Sequence, residues 1–180
     1  MAAPSTIFHF KIDLSDLDRG VYESLDFRAA QHPSESMPYF LTRILAFVLN
    51  YEDGLNFSPQ GLGDPNTPSL SILDNFGGIR LWIEIGNPSP RKLHKASKTS
   101  QKVRVYTYKN PELLIKAILS DKVHRASEID IFSLTPEFIE NLTDLVSRET
   151  RWSISYNEGT ILVSSGQKSE QGDLLKHTLS

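Results

Sequence analysis

The sequence contains no cysteine among its 180 residues. That absence excludes disulfide bonds, thiolate zinc sites and a catalytic thiol, and it agrees with a reducing compartment such as the cytoplasm. Long apolar runs are also missing, since the longest, Ile44 to Leu49, is far shorter than the roughly 20 residues that cross a bilayer. The N-terminal residues lack the basic and apolar regions of a signal peptide. We therefore expect a cytoplasmic protein with no membrane partner.

Several common catalytic motifs are absent as well. The sequence has no phosphate-binding loop of the Walker type, no dinucleotide-binding fingerprint and no serine nucleophile elbow. Its five histidines are not spaced as a metal-binding pair on a helix or a strand. The chemistry that remains is that of carboxylates and lysines.

Negative charge is missing from one long segment, Ile85 to Pro111, which contains no Asp or Glu. This segment holds seven of the 19 basic residues, whereas the rest of the chain carries twelve basic residues against 22 acidic ones. Such a split predicts a positive surface for an anionic partner, with a solvated basic helix as the alternative. The seven basic residues are Arg91, Lys92, Lys95, Lys98, Lys102, Arg104 and Lys109.

Hydrophobic periodicity predicts a mixed α/β fold. Apolar and polar residues alternate over Thr6 to Leu14 and Val21 to Ala29, which predicts an N-terminal β-hairpin. An apolar stripe from Met37 to Val48 predicts a helix, and Ser89-Pro90 is typical of a helix start. The order of elements predicts a mixed β-sheet flanked by helices. The other predicted strands are Ser69–Leu73, Ile79–Ile85, Val103–Tyr108, Ile129–Leu134, Trp152–Tyr156 and Thr160–Ser164, and the other predicted helices are Pro111–Leu119 and Pro136–Ser147.

The length favours one domain over residues 1–165, and we expect a monomer. Residues 166–180 are polar and poor in aromatic side chains. They are typical of a loose C-terminal tail, with Leu174 and Leu175 as candidates to dock on the domain.

The predicted strand Ile79–Ile85 carries the residue most informative for chemistry. Its odd positions are apolar and are expected to face the core, which places Glu84 on the opposite, polar face. Asp74 ends the preceding strand, where a hairpin would bring its carboxylate near Glu84. Two carboxylates suit Mg²⁺ or Mn²⁺, and such an ion would activate water against a phosphodiester.

The helix that follows supplies lysines that would assist this chemistry. Lys92 and Lys95 are three residues apart and share a helix face, so either ammonium would stabilise negative charge on a phosphate. Simpler interpretations stay open for each residue. Glu84 would be a solvated strand residue, Asp74 a turn residue that binds its own backbone, and the two lysines the wet side of a surface helix.

Several segments of the sequence, taken together, resemble the bacterial YaeQ family. The resemblance runs from the N-terminal hairpin to at least Tyr108, and it implies a compact variant of the PD-(D/E)XK nuclease fold with its αβββαβ core. The segments that carry it are His32-Pro-Ser-Glu35, Arg43 to Leu49, Leu55-Asn-Phe57, Leu81-Trp-Ile-Glu-Ile-Gly86, Pro88, Arg91 and Lys95-Ala96.

The resemblance implies roles for individual residues. Glu84 matches the acidic residue of the second half-motif, and Asp74 is the candidate for the first. Gly86 stands where the motif lysine would stand, so Lys95 or Lys92 would replace that lysine from the next helix. Glu35 matches a helix glutamate that some such nucleases add to their site. Arg43, Arg91, Lys98 and His32 are the candidate nucleic-acid contacts.

Two positions depart from the family pattern, because Arg80 and Ser89 stand where the family carries Asp. The sequence supports three hypotheses on function. The first is a Mg²⁺-dependent (or Mn²⁺-dependent) nuclease that acts on nucleic acid. The second is a non-catalytic module that uses the basic face to bind nucleic acid or a transcription-related protein. The third is a hydrolase for a small phosphorylated substrate.

Overall fold

The computed structural model describes residues 3–59 and 64–179. The chain divides into two compact units, of which unit 1 comprises Met1–Leu41 and Leu134–Leu174. Unit 2 comprises Thr42–Ser133 and Leu175–Ser180. Each unit combines two segments that are distant in the chain.

The elements confirm a mixed α/β fold, and their bounds lie close to those predicted except at the C-terminus. No helix within the described residues is long and apolar enough to cross a membrane. The strands are β1 (Thr6–Asp16), β2 (Val21–Gln31), β3 (Asn56–Phe57), β4 (Leu70–Leu73), β5 (Ile79–Ile85), β6 (Ser100–Thr107), β7 (Asp130–Leu134), β8 (Glu149–Asn157), β9 (Thr160–Ser165) and β10 (Lys168–His177). The helices are α1 (Met37–Leu49), α2 (Pro90–Thr99), α3 (Pro111–Ser120) and α4 (Pro136–Leu142), and short 3₁₀ helices lie at Ala126–Glu128 and Thr143–Leu145.

Unit 1 is built on the strand order β2-β1-β8-β9-β10. β1 and β8 are parallel, and the other neighbouring pairs are antiparallel. The predicted N-terminal hairpin is confirmed, with Phe10 opposite Phe27. Because side chains alternate between the faces of a strand, Phe8, Phe10 and Ile12 are all buried on one face of β1.

The C-terminal residues form a strand, so the expectation of a loose tail over residues 166–180 is wrong. β10 pairs with β9 from Lys168 opposite Ser165 to Asp173 opposite Thr160. Gly172 is buried so closely under Phe138 that a Cβ there would overlap the ring. Since glycine and not an apolar residue occupies this inward position, hydrophobic alternation gave little signal for the strand.

Unit 2 is built on the strand order β7-β6-β5-β4-β3. β5, β6 and β7 are parallel, whereas β4 runs antiparallel to both β5 and β3. The crossover through α2 therefore brings β6 back parallel to β5, as the sequence predicted. On one face of this sheet lies a core cluster of Trp82, Leu93, Ala96, Val103, Val105, Leu114, Ile118, Val123, Ile129, Ile131 and Leu179.

Candidate functional site

A carboxylate is buried near the end of β5 in unit 2. Glu84 is 2% exposed, and the expectation of a solvated side chain is wrong. The reason is that β5 lies between β4 and β6, while Leu93 and Ala96 of α2 pack with Trp82 on the face that Glu84 shares. β5 is therefore buried on both faces from Leu81 onward.

Four donors surround the Glu84 carboxylate. The Trp82 Nε1–H donates to Oε1 at 2.7 Å, and the backbone N–H of Ser69 donates to the same oxygen at 3.3 Å. The Ser69 hydroxyl donates to Oε2 at 3.2 Å, and the Lys92 Nζ lies 3.1 Å from Oε2. Each oxygen thus has two partners, which a buried carboxylate needs to offset its desolvation.

The turn between β5 and α2 brings Lys92 to this carboxylate. Gly86 follows β5 with a φ of 78°, a conformation that disfavours side chains other than glycine. This explains why a lysine does not occupy position 86. Ser89 then caps α2 by accepting a hydrogen bond from the backbone N–H of Lys92 at 3.2 Å, with Pro90 in the first turn. The helix folds back over β5 and buries most of the Lys92 side chain.

Burial raises the pKa of the Glu84 carboxyl above its ordinary value of 4.5. The positive charge of Lys92 and the hydrogen bonds from Trp82, Lys92 and Ser69 act in the opposite direction, but the loss of water around the charge outweighs them. A buried acid with a displaced pKa beside a single cation is a frequent feature of functional sites, and structural ion pairs share it.

Lys95, on the same helix, does not contact Glu84 but contacts Asn66. Its Nζ donates to the side-chain oxygen of Asn66 at 2.6 Å, and the residue is exposed. Of the two lysines that the sequence proposed as catalytic, only Lys92 contacts Glu84 in this structure. Lys95 instead contacts the segment that precedes β4.

Asp74, the proposed partner carboxylate, lies at the other end of the hairpin. Its Oδ1 accepts hydrogen bonds from the backbone N–H groups of Phe76 and Gly78, both at 2.8 Å, and so stabilises the turn between β4 and β5. Leu73 is opposite Ile79 at this end of the hairpin. Glu84 lies five residues further along β5, about 17 Å away at the usual rise per residue. The structure does not bring the two carboxylates together.

The residue across the hairpin from Glu84 is Ser69, since Leu70 is opposite Ile83 in the register of β4 and β5. The Ser69 hydroxyl thus lies where a second carboxylate would have to lie, and the Lys92 Nζ lies next to Glu84 Oε2. Within residues 3–59 and 64–179, no group of three or more His, Asp or Glu side chains is arranged to hold a metal ion. These residues do not fit the two-carboxylate Mg²⁺ or Mn²⁺ site that the sequence suggested.

Three other proposed site residues lie in the segment before α1 or within the helix. Glu35 is 5% exposed, and its carboxylate accepts a hydrogen bond from the backbone N–H of His32 at 3.0 Å. The His32 ring contacts the Ser34 hydroxyl at 2.6 Å. In unit 2, Arg43 is 8% exposed and its guanidinium lies over the Phe57 ring at 5.3 Å. Burial of Arg43 argues against the phosphate contact expected for it.

The basic segment of the sequence separates into groups with different surroundings. Lys92 pairs with Glu84, and Lys102 and Arg104 approach Asp130. Arg91, Lys95 and Lys98 are exposed on α2. Their spacing of four and three residues places them on one face of the helix, and we refer to these three residues as the α2 basic face.

Sequence reasoning missed Ser69 and Trp82 as ligands of the carboxylate. The contact of Trp82 with Glu84 could have been predicted, because residues two apart on a strand place their side chains on the same face. The contact of Ser69 with Glu84 could not, because the register of β4 against β5 shifts between Ile72 and Leu73. A strand register with such an irregularity cannot be read from alternation alone.

Comparisons with known proteins give a consistent picture. The family model described as "YaeQ protein" matches residues 1–173. The chain is 32% identical over 108 residues to proteins described as uncharacterized protein YaeQ from Escherichia coli K12 and Salmonella typhi, and these 108 residues are 60% of this chain and 59% of the length of each relative.

Two crystal structures of YaeQ proteins are similar over nearly the whole chain. The protein from Xanthomonas axonopodis pv. citri is 27% identical with a TM-score of 0.88, and the match covers 98% of this chain and 99% of that one. The protein from Pseudomonas syringae is 28% identical with a TM-score of 0.89, and the match covers 98% of both chains.

Proposed function

This chain belongs to the YaeQ family, and from that premise we propose that it is a non-catalytic nucleic-acid-binding module built on a nuclease-like core. The order α1-β3-β4-β5-α2-β6 supports the αβββαβ core of the PD-(D/E)XK nucleases. The α2 basic face would contact phosphates of the nucleic acid. No metal ion takes part in this proposal.

The exposure of Arg91, Lys95 and Lys98 on one helix face carries the proposal. Seven residues separate the first from the last, which is about 10 Å along the axis at 1.5 Å per residue. Cations so spaced suit successive phosphates of one strand, and α2 contains no acidic residue that would repel them.

The surroundings of Glu84 argue against metal-dependent cleavage. Its carboxylate is neutralised by Lys92, Ser69 replaces a second carboxylate, and Asp74 stabilises a distant turn. One observation favours the nuclease alternative nonetheless. A buried glutamate with a raised pKa next to a lysine is also the arrangement that an acidic half-motif and its lysine would adopt. The experiment therefore has to separate binding from cleavage.

Binding is tested by fluorescence anisotropy with labelled single-stranded and duplex DNA and RNA, titrated at several salt concentrations in EDTA. We expect affinity to fall steeply with salt, by about 0.9 log units per log unit of salt for each duplex phosphate neutralised. Replacing Arg91, Lys95 and Lys98 together by Ala should lower that slope by roughly two to three units.

The matched control removes three exposed lysines elsewhere, by changing Lys11, Lys116 and Lys168 to Ala. It has the same net charge as the α2 variant, so an equal loss of slope in both variants would contradict the proposal. Cleavage is then assayed with the same nucleic acids in Mg²⁺ and Mn²⁺. Cleavage that EDTA abolishes, and that Glu84→Gln loses at equal concentration of folded protein, would establish the nuclease alternative instead.

A further inference from the structure

Three cationic side chains converge on a single carboxylate in unit 2, away from the α2 basic face. The Lys102 Nζ lies 3.1 Å from Asp130 Oδ2, and the Arg104 Nε lies 3.7 Å from the same oxygen. The Lys176 Nζ lies 3.4 Å from Asp130 Oδ1. The three cations are therefore grouped around one point, and we refer to Lys102, Arg104 and Lys176 as the cation cluster.

The strand register explains how the cluster forms. β6 and β7 are parallel with Arg104 opposite Asp130 and Tyr106 opposite Phe132, so these four side chains share a face of the sheet. Lys102 is two residues before Arg104 and lies on the same face. Near the end of β10, the Lys176 ammonium lies 5.9 Å from the centre of the Phe132 ring.

The cluster is open to solvent above a partly buried acid. The Asp130 side chain is 18% exposed, whereas those of Arg104, Lys102 and Lys176 are 35%, 39% and 56% exposed. The carboxylate thus forms the floor, and the cations are presented outward. A ligand arriving from solvent would meet the cations first.

The charges at this place do not balance. Asp130 contacts three cations. The charge of Lys102 also acts on the Glu128 carboxylate, but Glu128 pairs with Arg125, so an excess of two positive charges remains around Asp130. Arg104 is held in position because one of its terminal nitrogens donates to the Asn50 side-chain oxygen at 2.6 Å. Its buried Nε has no hydrogen-bond partner among the described residues. That nitrogen is closed to solvent, but the Arg104 side chain as a whole is 35% exposed, and a guanidinium fixed in place is suited to an incoming oxyanion.

We propose that the cation cluster is a binding site for a phosphate monoester, with Lys102, Arg104 and Lys176 as its ligands. A phosphate monoester carries close to two negative charges at neutral pH, which matches the excess of two positive charges. Asp130 holds the cations together in the free protein and repels the bound phosphate. The site is independent of the α2 basic face. The ligand class has two sources, a free small phosphate and the terminal phosphate of a nucleic acid.

The test uses two-dimensional amide NMR with inorganic phosphate as the probe, at constant ionic strength. We expect saturable shifts at the amides of Lys102, Arg104, Asp130 and Lys176, with the same affinity in the triple Ala variant of the α2 basic face. Lys176→Ala should weaken phosphate binding about fivefold, because a partly exposed ion pair contributes up to about that factor. Asp130→Asn should tighten binding by a similar factor, because it removes the repulsion.

Lys168→Ala is the control, since Lys168 is an exposed lysine on the same strand as Lys176. Lys102→Ala provides a second variant if Lys176→Ala alters the spectrum of the free protein. Equal affinities in Lys176→Ala, Lys102→Ala and Lys168→Ala would overturn the proposal, as would an Asp130→Asn protein that binds phosphate no tighter than wild type. Linear, non-saturating shifts would also overturn it, because they indicate an adventitious ion only.

Matched trinucleotides with and without a 5′-phosphate separate the two sources. Tighter binding of the phosphorylated trinucleotide than of inorganic phosphate assigns the site to nucleic-acid ends. Equal binding of the two assigns the site to small phosphates. Failure of the proposed function would be seen separately, as nucleic-acid binding that is absent from the wild type or unchanged in the triple Ala variant of the α2 basic face, while the phosphate shifts at the cation cluster remain.

Discussion

Glu84 in unit 2 and Asp26 in unit 1 each contact a basic side chain, yet the pKa values of their carboxyl groups move in opposite directions. Burial raises the pKa of Glu84 although Lys92 lies 3.1 Å away. The hydrogen bond from His9, with a distance of 2.6 Å, lowers the pKa of Asp26, which is exposed. The difference shows that removal from water, more than the presence of a cation, determines the direction at Glu84.

The largest expected effect comes from breaking the buried pair. Lys92→Met removes the ammonium and keeps the apolar stem, so the Glu84 charge loses the cation that lies 3.1 Å from it. We expect the free energy of unfolding to fall by about 3 kcal/mol at neutral pH, because an uncompensated buried charge is costly. Lys95→Met is the matched control and should change that free energy by less than about 0.5 kcal/mol, since Lys95 is exposed. The measurement is urea denaturation.

The pH dependence of the destabilisation by Lys92→Met follows from the direction in which the pKa of Glu84 is shifted. A carboxyl whose pKa is higher in the folded state binds more protons there, so the free energy of unfolding falls as pH rises from the ordinary value of 4.5 through the folded value. Loss of Lys92 raises the folded pKa further and widens this interval. The destabilisation should therefore be largest at neutral pH and small below pH 4.5. A loss that is equal at both pH values would mean that Lys92 acts through packing instead.

Only part of the Glu84 site could be predicted from the sequence. Periodicity located β5 and α2, and their order placed a lysine of α2 within reach of Glu84. Burial of Glu84 was not predicted, because a single polar residue on a strand reveals nothing about what packs over it. The pairing of Asp74 with Glu84 failed for a different reason. Both residues were assigned to one hairpin, but they lie at its opposite ends.

Asp74 provides an intermediate case, because its carboxylate caps a turn, is not deeply buried and has no cation of the described residues within ion-pair distance. Asp74→Ala removes the acceptor for two backbone N–H groups and should lower the free energy of unfolding by about 1 kcal/mol, as loss of a helix cap does. Asp74→Asn keeps a side-chain oxygen and should cost less than half as much. If thermal denaturation shows equal losses for the two variants, the charge and not the acceptor stabilises the turn.

The smallest effect is expected at Asp26, where water already solvates the carboxylate. Its lowered pKa contributes stability above the ordinary value of 3.8, and that stability is lost as pH falls through the folded value. Replacing His9 by Ala removes the hydrogen bond that is the largest cause of the shift, so carboxyl NMR should show the pKa of Asp26 rising. Desolvation, which raises the pKa of Asp26, and the charges of Lys11 and Arg28, which lower it, then remain.

Lys11→Ala tests which of these causes dominates at Asp26. Charge attraction from Lys11 acts through water and is screened by salt, whereas the hydrogen bond from His9 is a direct contact. The pKa of Asp26 should therefore rise less in Lys11→Ala than in His9→Ala, and added salt should remove the effect of Lys11→Ala first. The opposite ranking would mean that the summed surface charge of unit 1 controls Asp26. Glu84 and Asp26 would then differ not only in burial but also in the distance over which charges act on their carboxyl groups.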